Sequence, residues 1–224
     1  LFDTPNAGWR PNISAAALRA YRTLDASLTA EDLFFYVYGV LHARDYREAF
    51  AADLKKSLPR IPQVKTQEDF WAFSKAGREL SELHVGYETV EPWPDLEITY
   101  APGFDPNAPD AWRIEKMRYP KVEDPETGRK VEDKTRVLYN RAVTIAGIPI
   151  RAHNYRLGSR SALDWVLNQY EVTTDKPSGI TNDPNDWATE HGQPRYIFDL
   201  LRRVVTVSLR TLDVVDALPM LDLS

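Results

Sequence analysis

One six-residue segment supplies side-chain types that can read the edges of DNA bases. Residues 151–156 are Arg-Ala-His-Asn-Tyr-Arg. Arginine pairs bidentately with guanine and asparagine with adenine, provided that a rigid element carries them into the major groove. A β-strand here would place Arg151 on one face and Asn154 and Arg156 on the other, so only one set could meet DNA. The alternative is that these are simply exposed residues of an edge strand.

Cations around this segment are suited to phosphate contacts. The interval 113–160 contains 12 Lys and Arg residues against 6 acidic ones, whereas the rest of the chain has 16 against 27 and the whole chain has a net charge of −5. A basic interval between acidic flanks is typical of a binding face on a solvating scaffold, although charged runs are more often solvated surface. The phosphate-binding candidates in this interval are Lys116, Arg118, Lys121, Arg136 and Arg160.

Most other chemistries lack their sequence markers. The chain has no cysteine, which excludes disulfides, thiolate catalysis and cysteine zinc sites. It contains no Gly-x-Gly, Gly-Lys-Ser/Thr or Gly-x-Ser-x-Gly, so a dinucleotide turn, a phosphate-binding loop and a serine hydrolase elbow are not indicated. The histidines are not spaced as metal ligands, and acid pairs such as Glu88 and Glu91 beside Trp93 are more typical of turns than of glycosidases. We predict neither catalytic residues nor a metal site.

The pattern of apolar residues, prolines and charges predicts an α+β fold in a single domain spanning 1–224. A helical lobe is expected over 1–92, followed by a β-rich lobe over 93–160 that includes a hairpin with a charged tip at 120–134. Residues 161–224 are expected to form a helix, a long loop and a closing helix that docks on the helical lobe.

Location and completeness also have sequence indicators. No apolar run approaches the roughly 18 residues of a membrane span, and residues 1–5 lack a signal pattern, which favours a cytoplasmic protein. Because the chain has no initiator methionine, we expect a segment of a longer protein.

Three stretches, taken in order, match a known family. They are residues 35–62, with Phe-Tyr-Val-Tyr-Gly-Val-Leu-His at 35–42 and Leu-Pro-Arg-Ile-Pro at 58–62; residues 77–88, with Gly-Arg-Glu-Leu at 77–80; and residues 174–187, with Asn-Asp-Pro-Asn-Asp-Trp at 182–187. In these the chain resembles the C-terminal specificity (target-recognition) domain of Type ISP restriction-modification enzymes. The likeness covers residues 33–218 and is weakest over 94–134.

The resemblance implies a sequence-specific reader of double-stranded DNA. Type ISP enzymes are large bacterial polypeptides in which nuclease, helicase-like ATPase, coupler, adenine methyltransferase and recognition domain follow in order. The reader would dock on its methyltransferase and coupler domains and hold DNA while an adenine is flipped out and N6-methylated. Within the matched stretches, Asn182 and Asn185 join the base-reading candidates and Lys176 the phosphate-binding ones. For Arg60 and Trp187 a scaffolding role is expected.

The same resemblance assigns S-adenosylmethionine, ATP and Mg to the parent enzyme. This segment has no Asn-Pro-Pro-Tyr and no glycine-rich cofactor turn, so alone it is expected to be neither an enzyme nor a cofactor binder. An alternative function is a protein-interaction module that couples motor to methyltransferase without reading DNA, which the net negative charge favours. Another is a carbohydrate-active enzyme, prompted by 6 Trp and 11 Tyr.

Overall fold

The computed structural model describes residues 12–222 and divides the chain into two compact units. The helical unit comprises Leu1–Val85 with Asp213–Ser224, and the sheet unit comprises Gly86–Leu212. Residues 1–5, considered above for an export signal, lie outside the described part. Within that part, no helix is long and apolar enough to cross a membrane.

Local capping residues determine where helices of the helical unit begin. Ser14 accepts a hydrogen bond from the backbone N–H of Ala17, and Thr29 forms a reciprocal capping box with Asp32. After Val40 the helical conformation is interrupted, and the next helix begins at Arg44. The helices are α1 (Ala15–Tyr21), α2 (Ala30–Val40), α3 (Arg44–Ala49) and α4 (Gln67–Val85).

Two glycines bring the backbones of α2 and α4 into direct contact. A Cβ atom at Gly39 would lie 2.2 Å from the carbonyl oxygen of Phe73, and one at Gly77 would lie 1.8 Å from that of Phe35. No side chain fits at such distances, so this crossing requires glycine on both helices. Two of the stretches that carry the family resemblance therefore meet at a steric constraint of the fold.

The proline-containing stretch 58–62 is held by tyrosine hydroxyls. Tyr36 and Tyr21 both donate to the carbonyl of Pro62, at 2.6 and 3.2 Å, and Tyr46 donates to the carbonyl of Arg60 at 2.9 Å. Tyr36 is fully buried and stacks on Phe70 with ring centroids 4.8 Å apart. These bonds satisfy tyrosine hydroxyls and loop carbonyls together. The stretch is thereby anchored to the core of the helical unit, although residues 58–60 are themselves exposed.

The sheet unit contains a three-stranded antiparallel sheet and three two-stranded hairpins. The strands are β1 (Glu97–Tyr100), β2 (Lys121–Glu123), β3 (Lys130–Glu132), β4 (Val137–Leu138), β5 (Val143–Ala146), β6 (Arg156–Leu157), β7 (Arg160–Ser161), β8 (Thr173–Thr174) and β9 (Thr181–Asn182). The sheet has the order β1-β5-β4, and the hairpins are β2-β3, β6-β7 and β8-β9. The hairpin β2-β3 lies within residues 120–134, which were expected to form only the charged tip of a longer hairpin.

The core of the sheet unit joins the sheet to two helices, α5 (Ala162–Gln169) and α7 (Tyr196–Asp216). Ile145 of the sheet, Leu163 of α5 and Leu201 of α7 are all fully buried in this cluster. The closing helix was expected to dock on the helical lobe. Its end, from Asp213 onward, does belong to the helical unit. The expectation is wrong for the apolar stripe, which packs in the core of the sheet unit as far as Leu209. Helical periodicity identifies a buried face but not the surface that covers it.

Two further segments differ from the sequence expectation. Residues 151–156, considered above as a strand, lie mostly in a 3-10 helix, Ile150–Asn154, that follows Pro149. The long loop over 173–194 contains the β8-β9 hairpin and a short helix, α6 (Asn185–Glu190).

Candidate nucleic-acid interface

The sheet unit has an open groove of about 960 Å³ with cations in its wall. It is lined by parts of the segment 103–118 and by residues of 138–144. Lys116 and Arg118, both predicted from the sequence, line it together with Arg113 and Arg141, which were not singled out. The signal that could have identified Arg113 and Arg141 is their place in the basic interval 113–160.

Strand pairing explains how distant residues come together in this groove. The N–H of Arg118 donates to the carbonyl of Leu138 at 3.2 Å, and the N–H of Leu138 donates back at 2.8 Å. The segment 116–118 thus lies along β4, and the turn between β4 and β5 brings Arg141 into the same wall. The side chain of Asn140 in that turn donates to the carbonyls of Ala111 and Arg113, each at 3.0 Å.

Most groove cations have an acidic partner at the surface. Lys116 pairs with Glu171 at 2.7 Å, Arg141 with Glu115 at 3.3 Å, and Arg113 with Asp183. The pair of Arg141 with Glu115 has both side chains exposed, and such pairs contribute only about 0–1 kcal/mol. Asp183 and Glu171 are 13% and 24% exposed, so their pairs are less screened by solvent. A phosphate group can therefore compete most readily for Arg141. Arg118 is exposed and has no side-chain partner within residues 12–222.

Asn185 is placed differently from the expectation for a base reader. It is 5% exposed; its side-chain oxygen accepts from the N–H of Ile114 at 3.0 Å, and its amide nitrogen donates to the carbonyl of Ile114 at 2.9 Å. The same amide donates to Asp183 at 2.6 Å. Burial opposes ionisation of Asp183, but the bonds from Asn185 and Arg113 outweigh it and lower the pKa of that carboxyl. The geometry supports a structural role, in which Asn185 ties α6 to the groove wall.

Trp187 of α6 packs on neighbouring rings. It stacks on His191 with ring centroids 4.2 Å apart and contacts Tyr196 at 4.4 Å. Since it is 42% exposed, one part of its ring packs within the unit and the rest faces solvent.

The remaining base-reading candidates lie outside the groove lining. Arg151 and Asn154 are exposed on the 3-10 helix, where Ala152 is buried, so the predicted alternation of two strand faces does not apply. Arg156 donates to the carbonyl of Ser159 within the β6-β7 hairpin. Asn182 is exposed on β9.

The remaining phosphate-binding candidates are exposed but dispersed. Arg160 lies over the ring of Trp165 at 5.5 Å, and Arg136 pairs with Asp133 at 2.6 Å. Lys176 lies between β8 and β9, and Lys121 lies on β2. None of the four lines the groove.

The β2-β3 hairpin with its turn, residues 121–132, is called the ribbon below. Its base is anchored on α5, because Tyr119 donates to Asp164 at 2.9 Å and Lys134 approaches the same oxygen at 3.4 Å. His153 bonds the carbonyl of Lys134 at 2.9 Å through Nε2. Burial lowers the pKa of His153 and raises that of Tyr119, so both rings are neutral at pH 7. Sequence reasoning missed this anchor, which joins positions far apart in the chain.

The turn of the ribbon is ordered by one carboxylate. Asp124 accepts hydrogen bonds from the N–H of Glu126 at 3.0 Å and from the N–H and hydroxyl of Thr127 at 2.8 and 2.9 Å. Gly128 follows with φ of +64°, a conformation that glycine adopts without strain. The bonds from Thr127 lower the pKa of Asp124.

A family model described as the Type ISP C-terminal specificity domain matches residues 3–200. No curated protein matches the chain. A nuclease-deletion mutant of the Type ISP restriction-modification enzyme LlaGI, in complex with a DNA substrate mimic, is similar at 39% identity and a TM-score of 0.72, over 88% of this chain and 17% of that one.

Two further solved structures are similar. The ATP-dependent Type ISP restriction-modification enzyme LlaBIII bound to DNA has 35% identity and a TM-score of 0.77, over 95% of this chain and 12% of that one. A cryo-EM structure of a DrdV–DNA complex has 35% identity and a TM-score of 0.74, over 95% and 20%. The chain thus spans at most a fifth of the length of these three proteins.

Proposed function

The chain belongs to the Type ISP C-terminal specificity domain family, and from this membership and from a groove lined by four cations and three acidic residues we propose that it recognises a specific sequence in duplex DNA. The observation that carries the proposal is the convergence of Arg113, Lys116, Arg118 and Arg141 on one groove. Contacts of such cations with phosphates supply affinity and fix register, while other residues read the bases.

The distribution of charge in the sheet unit supports this function. The interval 113–160 is the basic part of an otherwise acidic chain. An acidic remainder disfavours contact between DNA and the rest of the chain, so we expect duplex binding at this interval. A coupling module without DNA contact has no need for this separation of charge.

The proposal places the chain within a longer polypeptide. The reader holds the duplex in register while an adjacent domain flips out an adenine for N6-methylation, because a base inside the stack cannot be reached. S-adenosylmethionine, ATP and Mg are assigned to the other domains. Residues 12–222 contain no group of three or more acidic or histidine side chains that could hold a metal ion, and the sequence has no glycine-rich cofactor turn.

Substitution in the groove tests the proposal through the salt dependence of binding. We expect Arg118→Ala and Arg141→Ala to weaken binding to every duplex, and each to lower the slope of log Kd against log salt by about one unit. Lys55→Ala, which removes an exposed cation of the helical unit, is the matched control and leaves the slope unchanged. Wild-type affinity of both groove variants at low salt would show that the groove does not bind phosphates.

A further inference from the structure

The charge of the ribbon differs from that of its surroundings. Residues 121–132 contain three cations and four acids, whereas the rest of the interval 113–160, apart from Asp133 and Lys134, has eight cations and a single acid, Glu115. A net negative hairpin is a poor phosphate binder. The ribbon therefore has another role than the groove beside it, and Lys121 is better explained by that role than by a phosphate contact.

The charged side chains of the ribbon form two opposed pairs on one face. In the register of the hairpin Lys121 is opposite Glu132, Glu123 is opposite Lys130, and the valine pair between them points to the other face. All four charged residues are exposed. Within residues 12–222 none of these four side chains has a hydrogen bond or an ion pair, in contrast to those of Arg113, Lys116 and Arg141 in the groove.

The ribbon is a fixed extension of the groove wall. Arg118, which lines the groove, pairs with Leu138 just before the ribbon begins, and the N–H of Asp133 donates to the carbonyl of Pro120 at 2.8 Å. Both ends of the ribbon are held on Asp164 through Tyr119 and Lys134. A two-stranded ribbon fits the major groove, and phosphate contacts at its base would set its depth there.

We infer that the ribbon reads two G·C base pairs, a specificity role that rests on the proposed function. The major-groove edge of a G·C pair offers two acceptors on guanine and one amino donor on cytosine. A lysine opposite a glutamate presents the complementary donor and acceptor, with Cβ atoms about 4.5–5.5 Å apart. Lys121 with Glu132 matches one such pair, and Lys130 with Glu123 matches another.

The order of the charges predicts the arrangement of the two pairs. Each opposed lysine–glutamate pair is called a rung here. The two rungs are two residues apart, about 6.8 Å along an antiparallel strand, which equals two base-pair steps of about 3.4 Å. The lysine is on β2 in the first rung and on β3 in the second. The site should therefore contain a G·C pair and, two steps away, a C·G pair of opposite orientation.

Swapping charges within one rung tests this assignment. Lys121→Glu combined with Glu132→Lys preserves net charge and cross-strand attraction but reverses the rung. In site selection from a randomised duplex library, we expect the chain to select the two oppositely oriented pairs and the double variant to reverse its preference at one of them. Affinity for individual duplexes should favour the new pair by about 10- to 100-fold. The swap of Glu123 with Lys130 should reverse the other position only.

Val131→Thr, on the opposite face of the ribbon and 41% exposed, is the matched control and leaves the selected sequence unchanged. If neither swap alters the selected sequence, or if both weaken all sequences equally, the ribbon does not read bases, although the proposed function stands. If the wild-type chain selects no sequence at all, the proposed function fails and this inference with it.

Discussion

Replacing Gly77 with alanine tests whether α2 and α4 cross in backbone contact. The added Cβ would lie 1.8 Å from the carbonyl oxygen of Phe35 and 2.7 Å from the nitrogen of Gly39. Both are backbone atoms, so no side-chain rotation relieves the overlap. Reaching an ordinary contact of 3.4 Å requires the helices to separate by about 1.6 Å at this point.

The energetic consequence has two opposing parts. Overpacking costs about 1–3 kcal/mol where side chains can adjust, and we take about 3–4 kcal/mol for a backbone clash. Alanine restores about 1 kcal/mol of helix propensity relative to glycine. We therefore expect the free energy of unfolding of the helical unit to fall by about 2–3 kcal/mol, where a typical domain has about 5–15 kcal/mol.

Hydrogen exchange followed by mass spectrometry measures this effect locally. Protection of the slowest amides in peptides covering α2 and α4 should fall by about 30- to 150-fold. Lys75→Ala, at an exposed position of the same helix, is the control and should change protection less than threefold. If Gly77→Ala behaves like this control, the helices are not in backbone contact and the reasoning is refuted.

Two other substitutions probe the two units. Burial, and to a smaller extent the nearby charge of His42, lowers the pKa of His84 to about 4. A histidine in the unfolded chain titrates near pH 6.5, so between pH 6.5 and 4 the unfolded chain binds more protons than the folded chain does. The free energy of unfolding is therefore unaffected by this group above about pH 6.5 and falls towards pH 4. After allowance for solvent screening, the loss is about 1–2 kcal/mol. The urea midpoints of unfolding at pH 7 and pH 4.5 should differ less in His84→Gln than in the wild-type chain. An equal pH dependence in the wild-type and variant chains would contradict this. In the sheet unit, Asn185→Ala leaves the backbone N–H and carbonyl of Ile114 without their partner and should lower the free energy of unfolding in denaturant by about 2–4 kcal/mol. The control Asn182→Ala, at an exposed position, should change it by no more than about 0.5 kcal/mol. Equal losses in the two variants would refute the structural role of Asn185.

Elements governed by local interactions could be predicted from the sequence. Helix α5 begins where Ser161 forms a capping box with Asp164, and α4 begins beside Thr66, whose hydroxyl accepts from the N–H of Asp69 at 3.0 Å. These signals lie within four residues of one another. The division into helical and β-rich parts follows from such signals together with the distribution of proline.

Features set by distant contacts could not be predicted in this way. The 3-10 helix at 150–154 contains Ala152, which is fully buried, and the alternation of residue types gave no sign of that burial. Asn185 has the side chain of a base reader, but Ile114, 71 positions away, occupies its amide. The groove likewise depends on the pairing of Arg118 with Leu138. Whether the remaining candidates contact DNA stays a prediction.

The turn of the ribbon has a consequence for the entropy of association. A flexible exposed loop loses backbone freedom when it is immobilised, at about 1–2 kcal/mol per residue. The three hydrogen bonds to Asp124 and the left-handed conformation of Gly128 remove this freedom during folding. A partner that meets the ribbon therefore encounters a preformed shape, and the free energy of contact goes into affinity and discrimination rather than into ordering the chain.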